Sequence, residues 1–158
     1  MIEHMCDICD GMTFEEADRR DELLIAVNGW MACQVEDGTE PGWVYTLGIH
    51  PSFGHPELIC IDFPFQQDVQ VFLVRYLAGW VAAHGVVDDA ELARLDVELV
   101  PVNREWFEDG LVASWEHHYG HVPEVGQFVQ ILPGPSWFEN GDTSARKRLD
   151  RPAPDAAA

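Results

Sequence analysis

A chain of 158 residues with 28 acidic against 9 basic groups, a formal charge of −19, has the length of one strongly acidic domain. Such a field repels nucleic-acid phosphates and anionic lipid, so no nucleic acid and no membrane are expected as partners, and a protein with a basic surface is favoured. Hydrophobic residues make up 47% and are spread along the chain, which excludes a disordered polypeptide.

The first ten residues, Met1 to Asp10, are acidic and have neither the basic nor the apolar region of a secretory signal. Thr13-Phe-Glu-Glu16 is a capping box, and Phe14, Ala17, Leu24 and Val27 recur at helical spacing until Asn28-Gly29 stops the helix. Trp30 to Glu36 and Trp43 to His50 read as the two strands of a hairpin, with Asp37 to Gly42 as the turn. His50-Pro-Ser-Phe-Gly-His-Pro56 is expected as a loop in which each proline presses the preceding histidine toward extended geometry.

Glu57 to Phe63 is apolar on both faces, as a central strand requires. A long helix is predicted over 67–84, with Val69, Phe72, Leu73, Tyr76, Leu77, Trp80 and Val81 as its apolar stripe and Gly85 as its stop. Residues 69–83 are too short a run, and too interrupted by Arg75, to span a bilayer. A short polar helix or turn over 88–94 and a strand over 96–102 follow. Phe107, Leu111, Trp115 and His118 trace another helix closing at Gly120, and Val125 to Leu132 is the last strand.

This order is not a regular alternation of strand and helix. It predicts a single α+β domain: a mostly antiparallel sheet of about five strands with three main helices packed on it. Residues 1–141 carry 25 acidic and five basic groups, whereas 142–158 carry three acidic and four basic. The expectation is therefore an acidic domain over 1–141 and a flexible C-terminal tail over 142–158. Lys147 is the one lysine against eight arginines, a bias that points to a GC-rich genome such as that of an actinobacterium or one of its phages.

The stretch Pro41-Gly-Trp-Val-Tyr-Thr-Leu-Gly-Ile-His-Pro-Ser-Phe-Gly-His-Pro-Glu-Leu58 resembles the signature of the bacterial and phage family known as domain of unknown function 4262. Tyr45, Thr46, Gly48, Gly54, Pro56, Glu57 and Leu58 carry the likeness, with an N-terminal Cys-x-x-Cys, the pair Gly29-Trp30, and Tyr119-Gly120 followed by a strand bearing Gln130. The resemblance runs from about Cys6 to Leu132. Beyond Leu132 the family's usual Trp-Pro-Asp and Pro-Trp ending is replaced by Pro-Gly-Pro-Ser-Trp-Phe-Glu-Asn-Gly-Asp. The resemblance implies a fold and no reaction.

Three constellations bear on chemistry. The first is a candidate functional loop of Tyr45, Thr46, His50, Ser52, His55 and Glu57, in which two imidazoles near a carboxylate can bind zinc or act as acid and base. The competing reading makes it a tight turn, with His55 bonded to backbone and Glu57 answering a buried N–H. The second is Cys6-x-x-Cys9, one edge of a tetrahedral metal site whose further ligands would come from elsewhere, such as His117, His121 or Cys33; two reduced thiols or a redox-sensitive pair explain it without a metal. The third is the set His117, His118 and His121, which a helix C-terminus explains without a ligand.

Cys33 and Cys60 fall in strands and read as small buried hydrophobes. Trp43, Trp106, Trp115 and Trp137 are candidate interface anchors, each equally suited to a core or turn role. No phosphate loop, nucleophile elbow or His-Glu-x-x-His motif is present. The expected function is that of a cytoplasmic, non-enzymatic accessory protein, with no cofactor, that binds a basic protein partner. The alternative is a small metal-assisted hydrolase built on His50, His55 and Glu57, with Cys6 and Cys9 as further candidates.

Overall fold

The computed structural model describes residues 11–36, 38 and 41–153. Helix α1 (Phe14–Asn28) starts at the capping box: the Glu16 amide donates to Thr13 Oγ1 at 3.2 Å and the Thr13 amide donates to the Glu16 carboxylate at 2.8 Å. Strands β1 (Met31–Val35) and β2 (Trp43–Leu47) form the expected antiparallel hairpin, with Met31 opposite Leu47 and Val35 opposite Trp43. Of the turn joining them, Asp37, Thr39 and Glu40 lie outside the described residues.

Strand β2 is shorter than its sequence suggests. It stops at Leu47, and the stretch expected as an extended loop winds into a five-residue helix, α2 (Ile49–Phe53), closed by Gly54. The first intrahelical bond comes from the Ser52 amide to the Gly48 carbonyl at 3.0 Å. Pro51 thus falls in the first turn, where a missing N–H costs nothing, and this overrides the extended bias of His50.

The chain continues through β3 (Glu57–Ile61), α3 (Gln67–His84), α4 (Asp89–Leu95), β4 (Val97–Pro101), α5 (Ala113–Tyr119) and β5 (Phe128–Pro133). The single helix expected from Phe107 to His118 is two pieces, a 3-10 turn at Arg104–Phe107 and then α5. Gly110, left-handed at φ +78°, interrupts the run between them.

The sheet order is β1-β2-β3-β5-β4, and every pairing is antiparallel except β3 with β5. The architecture is the α+β domain with a mostly antiparallel five-stranded sheet that the sequence predicts. Alternation along the strands sends side chains to two cores. On one face Met31, Cys33, Tyr45, Leu47, Ile59, Ile61 and Phe128 pack with Phe107, Val112, Trp115 and Leu149. On the other, Val44, Leu58, Cys60 and Ile131 pack against Leu73, Val74, Leu77, Ala78 and Val81 of α3.

The buried stripe of α3 is rotated from the expected one. Phe72 is 60% exposed, and Tyr76 and Trp80 are half-buried at its margin. No helix among the described residues is long and apolar enough to cross a membrane.

The C-terminal segment departs most from expectation. Residues 142–153, expected as part of a flexible tail, are packed onto β5. Leu149 is fully buried, and its amide donates to Gln130 Oε1 at 2.7 Å while Gln130 Nε2 donates to the Lys147 carbonyl at 2.8 Å. The Asn103 amide also donates to the Leu149 carbonyl at 2.6 Å, so the segment adds a covering piece to the first core. Buried Gln130 supplies the polar groups that satisfy its backbone.

Candidate functional site

The motif residues converge on Glu57, the first residue of β3, which is completely buried. Its two oxygens accept four hydrogen bonds. Oε1 accepts from Thr46 Oγ1 at 3.0 Å and from the Ile49 amide at 2.8 Å; Oε2 accepts from the Gly48 amide and from Trp115 Nε1, both at 3.0 Å. Thr46 Oγ1 in turn accepts from the Leu58 amide at 2.9 Å. The carboxylate therefore ties the end of β2, the first amides of α2, the start of β3 and the indole of α5 into one knot.

Gly48 makes the knot possible. It lies at φ +100°, and a Cβ there would fall 2.6 Å from the Gly29 carbonyl oxygen and 3.0 Å from Trp30 Cα. Only glycine fits this approach and still aims its amide at Glu57. Tyr45 is bound in nearby, its hydroxyl accepting from the Ser114 amide at 3.0 Å.

Burial dominates the electrostatics. It pushes Glu57 up from 4.5 to about 7, against the opposing pull of the hydrogen bonds from Trp115, Thr46, Gly48 and Ile49. Burial, then the Glu57 charge, raises the Tyr119 hydroxyl to about 12. The buried Tyr119 hydroxyl oxygen has no hydrogen-bond partner of acceptable geometry among the described residues.

The structure does not gather the candidate loop into one exposed edge. Tyr45, Thr46 and Glu57 are buried, whereas His50 and Ser52 are exposed on α2. Ser52 Oγ donates to the Gly29 carbonyl at 2.7 Å, and His55 Nδ1 lies 2.7 Å from the Pro56 carbonyl oxygen. Neither histidine is among the partners of Glu57.

The histidines at the end of α5 and just beyond it diverge as well. His117 Nε2 meets Asp18 of α1 at 3.1 Å; His121 Nδ1 meets its neighbouring Val122 carbonyl at 2.9 Å, with its ring edge-on to Trp115. Cys6 and Cys9 lie outside the described residues. Among the described residues no three His, Cys, Asp or Glu side chains are grouped to hold a metal ion. Cys33 and Cys60 are buried thiols, and burial raises both.

The candidate anchors Trp43, Trp106, Trp115 and Trp137 each spend their indole N–H internally, on Leu111, Arg151, Glu57 and the Leu95 and Asp96 carbonyls. They bind loops and segments to the sheet. Trp115, which donates to Glu57, and Tyr119, whose hydroxyl feels the Glu57 charge, are neighbours of the carboxylate that sequence spacing misses. They lie about sixty residues downstream on a helix whose periodicity reports only its apolar face.

Fold and site together define a class: a mixed-sheet α+β domain whose central motif is organised around a sealed carboxylate. The chain belongs to the family described as Domain of unknown function (DUF4262), which matches residues 24–133, more than half its length. No curated protein and no solved structure matches the chain.

Proposed function

We propose that this protein is a non-enzymatic binding module that engages a protein with a basic surface, as a cytoplasmic accessory protein of an actinobacterium or one of its phages. The carboxylate at the centre of the motif is occupied by four internal donors and closed to solvent, which leaves it no role in contacting a substrate. Function then falls to the outer surface of a chain whose residues 1–141 hold 25 acidic against five basic groups.

The observation that carries the reading is an aromatic ladder on the outside of α3. Phe72, Tyr76, Trp80 and His84 follow one another every four residues, with Phe72 stacked on Tyr76 at 5.8 Å and Trp80 against His84 at 4.9 Å. Asp68 continues the row at its start, and exposed Val86, Asp88 and Asp89 lie just beyond its end. Exposed Phe72 and the half-buried rings of Tyr76 and Trp80, with Asp68, Asp88 and Asp89 towards the ends and the Arg94–Glu91 pair seated on Tyr76, suit a partner that offers a hydrophobic pocket rimmed mainly by Lys and Arg.

The test is affinity capture from lysate of the source cell, run in parallel with wild type, Phe72→Ala and Trp80→Ala. A defined partner retained by wild type, lost from both variants and released as salt rises supports the reading. Identical capture by all three proteins, or none by wild type, overturns it.

A further inference from the structure

The four basic residues of the C-terminal segment do not disperse over the surface. Arg146, Lys147, Arg148 and Arg151 line one cleft of about 530 Å³ together with Trp106 and Thr143. These are all the Lys and Arg of residues 142–158, in a chain with nine such residues in total. We propose that this cleft is a binding site for a small anion bearing a phosphoryl group, separate from the acidic surface and from Glu57.

The cations are held in place before any ligand arrives. Lys147 Nζ lies 5.2 Å above the centre of the Trp106 ring and pairs with Asp62 at 3.2 Å. The Arg148 guanidinium is gripped by both oxygens of Asp150, at 3.0 and 2.7 Å. Arg146 donates to the Pro133 carbonyl at 2.8 Å, and Trp106 Nε1 donates to the Arg151 carbonyl at 2.7 Å, which ties the end of the segment to the cleft wall. Preorganised donors bind tightly because little side-chain freedom is lost on association.

Two of the four charges are neutralised by Asp62 and Asp150. Among the described residues Arg146 and Arg151 form no ion pair, although Arg151 is near enough to Asp150 to help lower its carboxyl. Asp150 and, more weakly, Glu98 act on Arg148, so the charge left for a ligand is that of Arg146 and Arg151. At physiological ionic strength the distant carboxylates are screened over about 8 Å, so an anion inside the cleft responds mainly to the cations that line it.

The guanidinium fork matches the oxygens of a phosphoryl group, and the Thr143 hydroxyl adds a further donor. The volume is that of a small-molecule site. A nucleic-acid strand would have to run on across the acidic surface, which the remaining charge opposes. All four cations lie beyond the 24–133 span matched by the family, so the site belongs to this chain's own C-terminal segment.

Calorimetric titration tests the assignment, with inorganic pyrophosphate and adenosine 5′-monophosphate as separate probes. Wild type is expected to bind at least one of them saturably. Arg151→Ala, a change at an exposed side chain, is expected to weaken that binding about tenfold or more, and Arg146→Ala with Arg151→Ala to abolish it. Arg75→Ala, which removes an equal charge from α3, should leave it unchanged. Tighter binding of the nucleotide assigns a ligand that also uses the Trp106 face; tighter pyrophosphate assigns a bare oxyanion. Absence of saturable binding by wild type, or equal binding by Arg151→Ala, the double variant and Arg75→Ala, overturns the proposal.

Discussion

Trp115→Phe deletes one hydrogen bond from the sealed carboxylate and little else. The indole N–H donates to Glu57 at 3.0 Å from a side chain only 2% exposed, and a phenyl ring preserves much of the packing against Tyr119 and Phe128. With Glu57 raised from 4.5 to about 7, the carboxyl is protonated at pH 5 and ionised at pH 8.5. A hydrogen bond to a charged acceptor contributes about 1.5–3 kcal/mol and one between neutral groups about 0.5–1.5 kcal/mol. The variant should therefore lose about 1 kcal/mol more at pH 8.5 than at pH 5. Urea unfolding at the two pH values measures this directly, because the loss from the smaller ring is common to both and cancels.

The sign of the wild-type pH dependence follows from the same value. The folded state holds its extra proton between about 4.5 and about 7, so the Glu57 contribution is fully present below that window and lost as pH rises through it. That displacement corresponds to about 3 kcal/mol. Removing a donor raises the folded value further, which extends the decline to higher pH. Glu57→Gln, which cannot titrate, should flatten the slope over this range. An equal loss for Trp115→Phe at both pH values, or a larger one at pH 5, would refute the account of a carboxylate whose charge is held by four donors.

Two more substitutions probe the fold around the site. Gly48→Ala forces a Cβ to within 2.6 Å of the Gly29 carbonyl oxygen at φ +100°, and should cost at least the 1–3 kcal/mol or so typical of backbone strain; a melting temperature equal to wild type would show that the backbone yields there. Leu149→Ala removes a fully buried side chain and should cost about 2–5 kcal/mol in urea unfolding, whereas a loss below about 0.5 kcal/mol would mean that the C-terminal segment is peripheral to the core.

The regular elements were legible in the sequence because local signals agree with their burial. The capping box at Thr13 and the stop at Gly85 are both met by the structure, and α3 runs over the predicted residues. The errors arose where local preference and tertiary context compete. The histidine before Pro51 is helical because that proline occupies a first turn, and the run from Phe107 to His118 is interrupted at Gly110. Residues 142–153 have the polar composition of a mobile segment, yet Leu149 and the side chain of Gln130 dock them. Hydrogen bonds across many residues, such as Trp115 to Glu57, leave no periodic trace in a sequence.

The motif that makes the family recognisable explains more about folding than about function. Tyr45 is bound by Ser114, Thr46 bridges Glu57 and Leu58, Gly48 gives its amide to Glu57, and Glu57 answers all the polar groups that reach it. A buried carboxylate with a full set of donors is costly to remove and hard to replace, since any isostere leaves at least one donor unmatched. The same closure denies it to a substrate. On the proposed readings, specificity comes from what the knot holds in place: an acidic exterior with aromatic side chains along α3, and a cationic cleft assembled by a C-terminal segment beyond the matched span. These two surfaces have opposite charge and use separate residues, so Phe72→Ala should leave phosphoryl binding intact and Arg151→Ala should leave partner capture intact.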